Sequence, residues 1–160
     1  MSDLSNNRDA RYITAGRALG EARIRNRPTR KGGCGCPIIV EGRNDRLALE
    51  SLGFTGEFEQ VNRGWNQSRF IAYIFEKYGI LNKVDQGPSV ILLMDWDRTG
   101  GKLQSNLRRR LESFDVMIDE ELRNVLMRAL KPETRVVESL SGLAEVLIPH
   151  MGLDDHSERV

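Results

Sequence analysis

Two hydrophobic runs in this 160-residue chain each end abruptly in acid. Pro37-Ile38-Ile39-Val40 leads into Glu41-Gly42, and Val90-Ile91-Leu92-Leu93-Met94 leads into Asp95-Trp96-Asp97. Short, unbroken apolar runs of this kind suit strands buried on both faces of a parallel sheet. Neighbouring parallel strands deliver their C-terminal ends to one edge, so the pattern predicts that Glu41, Asp95 and Asp97 converge there. Three like charges so close push at least one pKa upward unless a cation intervenes. Hard oxygen donors point to Mg2+, with Mn2+ as a substitute.

The chain around these runs alternates between strand and helix patterns. Gly32-Gly33-Cys34-Gly35-Cys36-Pro37 reads as a flexible joint and places a domain boundary near residue 36. Asn44 is positioned to cap a short helix carrying Leu47, Ala48 and Leu52, and Gly53 stops it. Residues 57–62 read as a second strand. Gln67 to Tyr78 forms an amphipathic pattern, with Phe70, Ile71, Ile74, Phe75 and Tyr78 on one face and Gly79 at its end. Gly87-Pro88 breaks the chain before the third strand, Ser89 to Met94. Leu103, Leu107, Leu111 and Phe114 mark another helix, Asp119 to Leu130 a further one, Arg135 to Glu138 a last short strand, and Leu140 to Leu147 a closing helix. Residues 151–160 read as a frayed tail. The expectation is an α/β fold, with a mainly parallel four-stranded sheet flanked by helices, over residues 36–150.

Net charge is only +1, yet the charge is unevenly placed. Residues 1–37 hold eight Lys/Arg against three Asp/Glu, leaving sixteen against twenty in the remainder. Residues 1–35 therefore read as a basic, flexible extension, either a solvated leader or an arm that binds nucleic acid. No apolar run approaches the about 20 residues that a membrane-spanning helix needs, and the Arg-rich beginning has no apolar middle of a secretory signal. Cys34 and Cys36 suit neither a disulfide framework nor a complete zinc site. A reducing, cytoplasmic setting is expected.

Ile38-Ile39-Val40-Glu41-Gly42-Arg43-Asn44-Asp45, followed by Met94-Asp95-Trp96-Asp97-Arg98-Thr99-Gly100, resembles a Toprim domain. That metal-binding catalytic module is shared by topoisomerases, bacterial-type primases, overcoming-lysogenization-defect nucleases and a ribosomal RNA maturation nuclease. The resemblance implies a Rossmann-like fold in which Glu41 acts as general acid/base or metal ligand and Asp95 and Asp97 bind magnesium. The chain has no room for the tyrosine-bearing domain of a topoisomerase or the body of a primase. Its layout is most similar to the ribosomal RNA maturation nuclease, in which a basic residue and an aspartate also follow the Glu-Gly motif, and Asp45 matches that aspartate. Arg98-Thr99-Gly100 stands where topoisomerases carry further acid, so one metal is expected.

Arg43, Arg98 and Lys102 follow the acidic strand ends and are candidates to hold phosphates. Gly100-Gly101-Lys102 is no Walker loop, because Trp96 and Leu103 occupy positions that need glycine and Ser/Thr. Trp65 either stacks on a base or anchors its loop. His150 and His156 lie without a third ligand nearby. The expected activity is Mg2+-dependent cleavage of nucleic-acid phosphodiesters, on RNA or DNA. The rival expectation is a noncatalytic nucleic-acid-binding or adaptor subunit within a protein complex.

Overall fold

A computed structural model of the chain describes residues 2–152, with side chains from residue 7 onward. The elements in order are α1 (Ser2–Asn26), β1 (Ile38–Val40), α2 (Arg43–Ser51), β2 (Phe58–Gln60), α3 (Gln67–Tyr78), β3 (Val90–Leu92), α4 (Arg98–Glu112), β4 (Ile118–Asp119), α5 (Glu121–Leu130) and α6 (Ala144–Leu147). Short 3-10 turns cover Thr29–Lys31, Val137–Leu143 and Ile148–His150. The four strands form one sheet in the order β2-β1-β3-β4, and every pairing is parallel. Ile38 pairs with Phe58 on one side and with Ile91 on the other.

Because successive strand residues point to opposite faces, the two apolar runs feed two cores. Ile38, Val40, Ile91 and Leu93 pack with α1, α2, α5 and the closing segment. Ile39, Val90, Leu92 and Met94 pack with Phe70, Ile71 and Ile74 of α3 and Leu107 and Leu111 of α4. The result is a three-layer α/β/α sandwich. The α3 helix spans the expected residues, since Asn66 accepts the Arg69 N–H at 2.8 Å at its start and Gly79 ends it at φ 71°.

The N-terminal expectation needs correction. Residues 7–35 are not a separate flexible extension, because α1 lays a stripe of Ala15, Leu19, Ala22, Arg23 and Asn26 against the domain, at helical spacing. Gly16 and Gly20 bring it close to the closing segment. A Cβ on Gly16 would lie 2.6 Å from the His150 Cβ, and one on Gly20 would lie 2.8 Å from the Met151 carbonyl carbon. Pro28 stops the helix, and the supposed joint folds back on it. Cys36 N–H donates to Arg25 O at 2.9 Å and Gly35 N–H to Arg27 O at 3.0 Å. Asn26, fully buried, donates to Cys36 O and Glu57 O and accepts from Gly56 N–H, at 2.9 to 3.0 Å. The boundary near residue 36 is thus inside a shared core.

Two smaller expectations also change. The fourth strand is Ile118–Asp119, not Arg135 to Glu138. The Val137 N–H is given to the Asp95 carboxylate, so that stretch turns over the sheet edge instead of joining it. The α2 helix begins at Arg43 with Gly42 as its cap, and Asp45, not Asn44, reaches back to the Gly42 N–H at 3.1 Å. The tail expected over residues 151–160 lies, from residue 153 on, outside the described residues.

Candidate functional site

From β1 the chain crosses to β2 on one side, whereas β3 leads to β4 on the other. A parallel sheet opens a crevice where its strand order reverses, beyond the carboxyl ends of the two central strands. Here those strands are β1 and β3, and the residues leaving them are the acids. Glu41 follows β1 directly and is exposed. Asp95 and Asp97 follow β3, half-buried, with Trp96 between them turned into the core. The Trp96 indole donates to Thr134 O at 2.7 Å and its N–H to Arg135 O at 2.9 Å. Anchoring Trp96 inward fixes the two flanking aspartates on the other side of the chain.

Each aspartate has a local task. Asp95 accepts the Val137 N–H on Oδ1 at 2.8 Å, and Asp97 caps α4 by accepting the Gly100 N–H on Oδ1 at 2.7 Å. Gly100 sits so close to Asp95 that a Cβ there would come within 2.6 Å of the Asp95 carbonyl carbon and 2.8 Å of its Cβ. Two further residues hold the segment and a third adds charge beside it, and none of them stands out in the local sequence pattern. Gln104, buried in α4, accepts the Met94 N–H at 3.1 Å and donates to Leu92 O at 3.2 Å and Glu120 at 2.8 Å. Arg123 of α5 donates to Met94 O at 3.1 Å and Asp95 O at 2.8 Å. Glu138 lies within electrostatic reach of both Asp95 and Asp45. All three arrive through contacts far apart in sequence, so only Asp45 was visible beforehand, through the resemblance.

The acids feel one another. Burial raises the Asp95 carboxyl, and the charges of Asp97 and Glu138 add to it, against the Val137 N–H and Arg123. Burial likewise raises Asp45, with Asp95, Glu41 and Glu138 adding and the Gly42 N–H opposing. Like charges held near a switch point favour a cation. The donor set is all oxygen, which suits Mg2+ or Mn2+. Asp95 and Asp97 each keep a second oxygen with no donor among the described residues. The expected three-carboxylate grip is not preformed, since among the described residues no three His, Cys, Asp or Glu are close enough to hold a metal ion. Mg2+ commonly binds through one or two carboxylates, keeping waters and substrate oxygens for the rest. The pair Asp95 and Asp97 fits that kind of site.

Arg43 starts α2, and Arg98 and Lys102 lie in the first turns of α4, all exposed and near the acidic edge. None makes an ion pair with a described residue. Trp65 is half-buried, edge-on to Tyr73 with centroids 5.3 Å apart, and the Arg69 guanidinium lies over its ring at 4.1 Å. Among the described residues no third His, Asp or Glu joins the cysteines in a metal-binding group. Burial pushes the Cys36 thiol up to about 12, and Cys34 bonds to Asp85. His150 packs against α1 at Gly16, and His156 lies outside the described residues. No helix of the described residues is long and apolar enough to cross a membrane.

No family model matches the chain. A solved structure of a putative protein from Aquifex aeolicus has the same fold, with a TM-score of 0.53 and 21% identity, over 76% of this chain and 94% of that one. A UPF0292 protein of Methanosarcina barkeri is 39% identical over 108 residues, which cover 68% of this chain and 68% of the relative. Another from Thermococcus onnurineus is 36% identical over 106 residues, covering 66% of this chain and 71% of the relative. A third, from Thermoplasma volcanium, is 36% identical over 104 residues, 65% of this chain and 78% of the relative. These likenesses extend over most of each relative, and on them the chain belongs to the UPF0292 family.

Proposed function

We propose that the chain is a Mg2+-dependent protein with a Toprim-like site that cleaves nucleic-acid phosphodiesters. The observation that carries this reading is the placing of Glu41 and the Asp95/Asp97 pair on the two strand ends that flank the switch point of an all-parallel sheet. Asp95 and Asp97 would hold the ion through their uncommitted oxygens. When bound, Mg2+ neutralises charge on nonbridging phosphate oxygens and lowers the pKa of a bound water. Glu41, exposed and unencumbered, carries the proton taken from the nucleophile or given to the leaving oxygen. Arg98 and Lys102 draw in the phosphates on either side, Arg as a fork and Lys as a point charge, with Arg43 across the crevice. A cytoplasmic location goes with this reading, since nucleic acids and free Mg2+ are found there.

One observation favours a second reading, a noncatalytic nucleic-acid-binding or adaptor subunit. The acids are not gathered into a ready cage, and a loosely held ion serves docking as well as chemistry. A panel of end-labelled structured RNA, single-stranded DNA and duplex DNA separates the two. It is incubated with Mg2+, Mn2+ or chelator and with wild type, Glu41→Gln or Asp95→Asn. Metal-dependent products lost in both variants support the enzyme and name its substrate. Binding that chelator weakens, with every substrate intact, refutes cleavage and leaves the adaptor.

A further inference from the structure

The α4 helix presents more positive charge than the crevice needs. Arg98, Lys102 and Arg109 recur at spacings of four and seven, and Arg110 extends the row, so the four cations fall within an arc of about 120°. All are exposed, and none forms an ion pair among the described residues, whereas their neighbour Arg108 is matched by Glu120. The row spans about 16 Å from Arg98 to Arg109. At its α3 side, Arg110 donates to Ser68 Oγ at 3.4 Å and Asn106 to Gln67 at 2.9 Å, which ties it to the first turn of α3. There the exposed Arg69 guanidinium lies over the Trp65 ring, 4.1 Å from its centroid. A guanidinium already stacked on an aromatic offers its other face to an unpaired base.

We infer that the outer face of α4, together with the Arg69–Trp65 stack, is a track for single-stranded nucleic acid, which runs from α3 to the acidic crevice. The inference rests on the proposed function for what happens at the crevice, but binding along the track stands without it. The α4 row takes the backbone phosphates, and the stack takes a base, which a duplex keeps inside its helix. The charge supplies affinity without reading sequence, and the stack supplies the preference for unpaired strands. RNA and DNA strands share this chemistry.

The test uses the full chain carrying Glu41→Gln, in chelator, with a short labelled single strand and a hairpin duplex of the same composition. Fluorescence anisotropy is read as a function of salt. The expected result is tighter binding of the single strand. Lys102→Ala with Arg109→Ala should reduce the slope of log affinity against log salt by about 0.7 for each cation removed. Arg69→Ala and Trp65→Ala should each weaken the single strand by about 5- to 100-fold and leave the duplex nearly unchanged. Arg69 is exposed, so its variant remains informative if Trp65→Ala melts. Lys83→Ala with Lys131→Ala removes equal charge elsewhere. The inference is overturned if that control weakens binding as much, if the duplex binds as tightly, or if no strand binds. Intact binding by wild-type protein that cuts nothing would sink the cleavage reading and spare the track; cleavage with an unchanged KM in the α4 and Arg69 variants would do the reverse.

Discussion

Gly100 and Gly101 are adjacent in the first turn of α4, and the structure predicts that alanine acts oppositely at the two. In a helix, alanine is favoured over glycine by about 0.5–1 kcal/mol. At Gly101 a Cβ meets only the Arg123 guanidinium, 3.7 Å away, so that gain should be realised. At Gly100 it would lie 2.6 Å from the Asp95 carbonyl carbon and 2.8 Å from the Asp95 Cβ. Ordinary carbon contacts are about 3.5–4.0 Å, so the start of α4 must recede by roughly 1 Å. Overpacking of this kind costs about 1–3 kcal/mol, of which propensity returns only part. The expected net loss is about 1–2 kcal/mol, or a Tm lower by about 2–8 °C, against a rise of about 1–4 °C for Gly101→Ala. The displaced atoms are those of the candidate site, and a shift of about 1 Å near reacting groups costs on the order of 100-fold in rate. Thermal and urea unfolding of the two variants beside wild type provides the measurement. If Gly100→Ala is as stable as wild type, or more so, the close approach of α4 to Asp95 is wrong and the argument for the crevice geometry goes with it.

Gln104→Leu keeps the volume but strands the Met94 N–H and the Leu92 carbonyl, each worth about 1–3 kcal/mol, so a loss of roughly 2–5 kcal/mol is expected in urea unfolding. A loss well under 1 kcal/mol would show that water replaces the side chain. Asn26→Ala removes three bonds, one buried and two part-buried, between α1 and the start of the sheet and should cost a similar amount; an independent N-terminal arm would make it silent. Asp95 has its folded pKa raised by burial and neighbouring acids, so its charged form costs stability. Its own contribution to the stability of the metal-free protein should therefore fall as pH rises from the unfolded value of about 4 through the raised folded value, opposite in sign to that of Asp85, whose carboxyl is held down. Asp95→Asn should flatten that decline and melt higher at neutral pH, with no advantage in acid. Mg2+ at a hundred times its Kd should stabilise wild type by about 2.7 kcal/mol and leave the variant nearly unmoved, as differential scanning fluorimetry would record.

The parts of the fold that local chemistry dictates were legible in the sequence. β1 and β3 are unbroken apolar runs, and α3 has an apolar stripe, an asparagine cap and a terminal glycine. The position of the candidate acids at the strand ends was legible for the same reason, because a strand's end is marked by the loss of hydrophobicity. What escaped was whatever depends on distant partners. β4 is two residues long and half-buried, too short for any period to show. The stretch expected as a strand at 135–138 instead spends its Val137 N–H on Asp95, forty-two residues away in the chain. Gln104 and Arg123 look like ordinary solvated helix positions until β3 is placed beside them.

Charge was misread most, and for a physical reason. A cation counted in sequence carries a field only if it reaches solvent unpaired. Within the basic N-terminal stretch, Arg11 bonds to Glu133 and to Ala129 O, and Arg23, itself buried, bonds to Leu52 O. Arg25 grips Asp85 with two bonds at 2.8 and 3.0 Å, which holds that carboxyl down at about 2. Arg27 is buried as well. Three of the eight cations thus fasten α1 to the domain, and a fourth lies buried just past its end, which is why a segment poor in large apolar residues folds against it. The α4 row runs the other way. It sits in the part of the chain whose net charge is negative, yet its cations are exposed and unpaired among the described residues. On the proposed reading, the cations that matter for a polyanion are those beside the acidic crevice, because the α4 row lies next to the acids, whereas the cations of the N-terminal stretch that remain exposed, Arg8, Arg17, Arg30 and Lys31, are scattered over α1 and the turn after it.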